Sequence, residues 1–169
     1  MRDPQSKSEL VRDIRKVFGL DIPPSLPNGW ERLTDDISSA NYSEAIEETY
    51  RFWGKSWSEL EMADFDECTC VFSFLPREHI PYFLGALMEL SLREEPYSYN
   101  LLELFTLFDP SIAKGKQAKQ FLAFNNSQIA SLEEKHFRTI VAFLQFLAAS
   151  GLEDERSDYM QEFLREQLS

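Results

Sequence analysis

Residues 76–94 read PREHIPYFLGALMELSLRE. Tyr82, Phe83, Leu84, Ala86, Leu87, Leu90 and Leu92 leave little polar face before Arg93. A helix that is apolar all round has to be enclosed by other elements, so the spacing predicts a main helix over 82–94 at the centre of the fold. Pro76 suits a first helical position, and Pro81, lacking an N–H, predicts a first turn that is kinked or separate from the main helix.

On the N-terminal side, SKSELVRDIRKVF over 6–18 places Leu10, Val11, Ile14, Val17 and Phe18 on one face, with Gly19 at a helix stop. The prolines Pro23, Pro24 and Pro27 forbid regular structure, which predicts an extended connector at 20–30 that lays Ile22, Leu26 and Trp30 on the domain. In NYSEAIEETYRFWG, Asn41 and Glu44 can cap a second helix, Ala45, Ile46, Thr49, Tyr50 and Trp53 form its apolar stripe, and Gly54 ends it. Ser56 and Glu59 then have the S-x-x-E spacing of a fresh start, so Trp53 and Trp57 belong to different elements. Trp53, Gly54 and Trp57 are therefore expected to form a structural corner with mostly buried rings, Trp57 more so than Trp53. Asp64 with Glu67 repeats the capping device. Residues 68–72 suit a short helix or a strand, and the helix is the preferred reading.

Beyond the central segment, Ser98 can cap YNLLELFTLF, and Asp109-Pro110 stops that helix. KGKQAK and FLAFNN over 114–126 suggest a helical turn running into a loop. Ser131 with Glu134 is expected to open a long helix carrying Leu132, Phe137, Ile140, Val141, Leu144 and Leu147 as far as Gly151. A terminal helix over 154–168 presents Tyr159, Met160, Phe163, Leu164 and Leu168, a face that must dock. The whole is mainly α: a single domain over 1–169, an irregular bundle of about six to seven helices around one apolar helix.

The stretches F-W-G-K-S-W-S-E-L at 52–60, V-F-S-F-L-P-R-E-H-I-P-Y-F-L-G-A-L-M at 71–88 and I-V-A-F-L-Q-F-L-A at 140–148 resemble a bacterial domain family of unknown function. The resemblance covers about 44–149 and implies an acidic helix leading to a glycine-x-x-Trp turn, a proline-headed helix and a closing helix of FL-x-x-L type. Gly85 departs from it, standing where the pattern has proline, and Ile80-Pro81 is shifted from the family spacing. The family has no established activity, so the resemblance implies a small soluble bacterial protein and brings no catalytic residues.

Composition narrows the function classes. At 43% hydrophobic and 14% aromatic the chain is built to fold. Its formal charge of −12 opposes nucleic acid and anionic membrane surfaces and favours a basic protein partner. Lys114, Lys116 and Lys119 ahead of Phe121 are too few to reverse that field. No apolar run is long enough for a membrane span and no signal-peptide core opens the chain, so a cytoplasmic location is expected. Cys68 and Cys70 are too close for a useful disulfide. With His79 and His136 they could offer a four-ligand metal set, but the CxC spacing does not favour zinc, and neither a metal nor any other cofactor is expected.

The acidic residues read as caps and solvated faces, and His136 as a surface or half-buried helix histidine. His79 beside Glu78, at the kinked start of the central helix, is the one candidate acid–base pair. No nucleophile or phosphate-loop motif accompanies it. Two functions remain. The first is a non-enzymatic acidic interaction domain, of immunity or accessory type. The second is a small-ligand-binding protein or enzyme with a pocket between the central helix and the tryptophan turn.

Overall fold

A computed structural model describes residues 6–19, 23–24, 49–69, 71–93, 101–152 and 155–168. The fold is mainly α, with no strand among the described residues. The elements are α1 (Lys7–Phe18), α2 (Met62–Asp66), α3 (Val71–Phe74), a 3-10 turn (Arg77–His79) running into α4 (Ile80–Arg93), a 3-10 segment (Leu101–Phe108), short 3-10 turns at Pro110–Ile112 and Gly115–Gln117, α5 (Ala118–Ile129), α6 (Glu134–Ala149) and α7 (Glu155–Glu166). Among the described residues no helix is long and apolar enough to cross a membrane.

The centre is α4, where every residue from Tyr82 to Leu92 is buried, as an all-round apolar helix requires. It begins at Ile80 rather than residue 82, because Pro81 falls in the first turn, where its missing N–H has no intrahelical partner to lose. The 3-10 turn ahead of it is the separate first turn that Pro76 and Pro81 suggested. Helix α1 packs against both α4 and α6. It starts at a Ser6–Glu9 capping box, stops at Gly19, and buries Leu10, Ile14 and Phe18. Gly85 allows the close approach: a Cβ there would lie 2.4 Å from Phe18 Cβ and 2.5 Å from Trp57 Cζ2.

Several expectations change. Thr49 is buried, but Tyr50 is 67% exposed; the helix ends at Tyr50 and the following turn swings Phe52 inward against Phe65 and Phe83. Asp64 is not a cap residue: it sits at the third position of α2, where its Oδ2 accepts the Glu61 N–H at 3.0 Å. The segment from Val71 is helical, although Glu67–Thr69 separate it from α2. Leu101–Phe108 is not one continuous helix: its 3-10 turns are broken by a kink at Phe105 (φ −95°, ψ 17°), and the segment buries its leucines and phenylalanines while Glu103 stays exposed. Asp109 does stop the segment, its Oδ1 accepting the Ser111 N–H at 2.9 Å.

The region expected to run into a loop is the twelve-residue helix α5. Its polar Asn125 and Gln128 are buried because they reach backbone carbonyls, Gln128 Nε2 donating to Phe72 and Leu75 O at 3.1 Å each. Helix α6 opens at Glu133, not Ser131, whose hydroxyl donates instead to Gln128 O at 3.4 Å. Helix α7 docks through Met160 and Leu164, while Tyr159, expected on that face, is 48% exposed. Asn41, Ser98, Cys70, most of the 20–30 connector and the greater part of the second expected helix lie outside the described residues.

Candidate functional site

Glu89 is the only charged residue between Pro81 and Arg93, and its position on the buried helix leaves its side chain 2% exposed. An ionised carboxylate so enclosed needs charged donors around it. Arg15, in the last turn of α1, supplies a two-pronged pair: Nε donates to Oε2 and Nη2 to Oε1, each at 2.7 Å. Arg93, one turn further along α4, donates from Nη2 to the same Oε1. The Arg15 hydrogen bond, opposed by burial, holds the Glu89 carboxyl below the usual carboxylate range, and Glu89 in turn raises Arg15.

The two arginines remain 60% and 49% exposed, so the carboxylate is interior while the guanidiniums face a cleft of about 400 Å³. Trp57 and Tyr82 line it beside Ser56 and Ser58. The wall is built locally. Ser56 N–H and Oγ both donate to Glu59 Oε2, at 2.8 and 2.6 Å, which closes the turn that presents Trp57. The Tyr82 hydroxyl donates to Lys55 O at 3.0 Å, and its ring meets Trp57 at 5.9 Å in a T-shaped contact. Lys55 Nζ pairs with both Asp64 oxygens at 3.0 Å, tying the turn to α2.

The tryptophan corner takes the form of two half-buried indoles on different elements. Gly54 adopts φ 73°, a left-handed conformation that favours glycine, and its N–H donates to Pro24 O at 2.8 Å. Trp53 meets His79 edge-on at 5.4 Å and Phe83 at 6.1 Å. His79 is thus a half-buried packing partner, its pKa lowered by burial against the opposing pull of exposed Glu78. Neither His79 nor Glu78 lines the cleft.

His136, expected as a surface or half-buried helix histidine, is more enclosed than that, at 5% exposed. Its Nδ1 accepts the Glu133 N–H at 2.8 Å, the ring bonds to the Val17 backbone, and it packs on Phe18 at 4.8 Å. Burial lowers its pKa, helped by Lys135 and opposed by Glu133 and the Val17 bond. It is a pin between α6 and α1. Cys68 is buried, and no group of three His, Cys, Asp or Glu suited to a metal exists among the described residues.

The sequence reading puts its pocket near the start of the central helix, around His79 and Glu78; the cleft is lined instead by Tyr82, Glu89 and Arg93 of that helix, and Arg15, Glu89 and Arg93 were missed. The signal was present: a lone acid inside an otherwise apolar helix must have a cationic partner.

An α-helical bundle with an arginine-clasped carboxylate at the edge of its central helix is the class that fold and cleft define. The profile of a family of unknown function, DUF6714, matches residues 6–167, and the chain belongs to that family. No curated protein and no solved structure matches it. The match is wider than the resemblance over 44–149, extending through α1 and α7.

Proposed function

We propose that the chain is a non-enzymatic interaction domain of a bacterial, cytoplasmic protein, one whose acidic surface meets a basic protein partner in an immunity-type or accessory role. The supporting observation is a row of carboxylates: Asp158, Glu162 and Glu166 recur every fourth residue on the exposed face of α7, whose other face is anchored by Met160 and Leu164. With a chain charge of −12, such a face attracts a cationic surface and raises its encounter rate. The test is co-purification from a native host at low salt, comparing the wild type with D158K/E162K. A basic protein held by the wild type, released by salt and lost from the variant supports the reading. Retention of the same proteins by both overturns it.

A second reading, a small-ligand-binding protein, is favoured by the cleft beside Trp57. Its volume of about 400 Å³ falls within the range of small-molecule sites. An enzymatic version centred on His79 and Glu78 has less support, since those residues lie off the cleft lining.

A further inference from the structure

Resting on that second reading, we propose that the cleft takes a monocarboxylate with a planar or apolar body, the carboxylate held by Arg15 and Arg93 and the body laid against Trp57.

Two guanidiniums meet a single carboxylate, so the residues that line the cleft carry one surplus positive charge within a chain of −12. Pairing alone would need only one arginine, because Arg15 already engages both Glu89 oxygens. A guanidinium has five N–H donors. Arg15 directs Nε and Nη2 to Glu89, and Arg93 directs Nη2 there. Both side chains keep about half or more of their surface open, so the remaining donors face the cleft.

Glu89 then acts as a positioning residue that fixes both forks before any ligand arrives, which lowers the ordering cost of binding. A single negative charge matches that surplus on the lining residues. A phosphate dianion would leave them negative inside an already acidic field, and a cation would meet two guanidiniums. The body's place is also prepared: the absence of a Cβ at Gly85 lets the benzo edge of Trp57 sit against α4, with Tyr82 in T-shaped contact.

The experiment follows the arginine Nε and Trp57 Nε1 resonances of the full chain by ¹⁵N NMR during titration with sodium phenylacetate, phenylacetamide or phenyl phosphate. The expected result is saturable shifts at all three sites with phenylacetate and none with the amide. Arg93→Gln keeps the Arg15–Glu89 pair but removes the surplus charge, and should weaken phenylacetate about tenfold or more. The acid-against-amide comparison needs no variant, so it stands even if that one folds poorly. An amide that binds as well as the acid, or a phosphate that binds more tightly, overturns the carboxylate assignment and leaves the ligand cleft standing. If no probe moves these resonances at concentrations up to about 10 mM, both fall.

Discussion

Gly85→Ala sets two effects of opposite sign against each other at the centre of the molecule. In an ordinary helix interior, alanine is better than glycine by about 1 kcal/mol, so propensity alone predicts stabilisation. The new Cβ, however, would meet Phe18 Cβ at 2.4 Å and Trp57 Cζ2 and Cη2 at 2.5 and 2.6 Å. Phe18 Cβ is bonded directly to the α1 backbone and cannot rotate away, while Tyr82 stands against the Trp57 ring. Overpacking of this kind costs about 1–3 kcal/mol, and the fixed Phe18 Cβ puts it at the upper end. The net expectation is a loss of about 2 kcal/mol. With a urea slope of about 2 kcal/mol per M, the midpoint falls by about 1 M with little change in slope. In a Trp57→Ala background only the Phe18 clash remains, so the same substitution should cost less. A midpoint for Gly85→Ala that stays level or rises would refute the packing argument.

Glu89→Gln leaves two arginines facing a neutral amide; because both are half exposed, the loss should be about 1–2 kcal/mol rather than the larger penalty of a fully interior pair. The same variant should flatten the acid limb of the stability profile, since a carboxyl held below its ordinary 4.5 stabilises above that pH and loses its contribution as pH falls through the folded value. Burial keeps His136 and His79 below their ordinary 6.5, so the unfolded chain binds protons first and urea midpoints should fall as pH drops below that value. His136→Asn should reduce that slope, and an unchanged slope would remove His136 from the account. Gly54→Ala forces a side chain into φ 73° and should cost about 1 kcal/mol by urea melt, with no steric contribution because nothing lies within 4 Å of the added Cβ.

Elements whose signals are local and periodic were legible from the residues alone. The all-round apolar run made α4 central, amphipathic spacing marked α1, α6 and α7, and Gly19 and Asp109 punctuated the chain where they should. Each follows from backbone chemistry or from a helix burying its own stripe. Tertiary contacts decided what depended on a distant partner. Gln128 is polar and reads as loop until the carbonyls of Phe72 and Leu75 receive it. Glu133 begins α6 because His136 caps it while also holding α1. Arg15 and Glu89, 74 residues apart, become one charged cleft only when α1 lies across α4. That crossing is set by the missing Cβ of Gly85, a single atom whose consequence depends on what packs there.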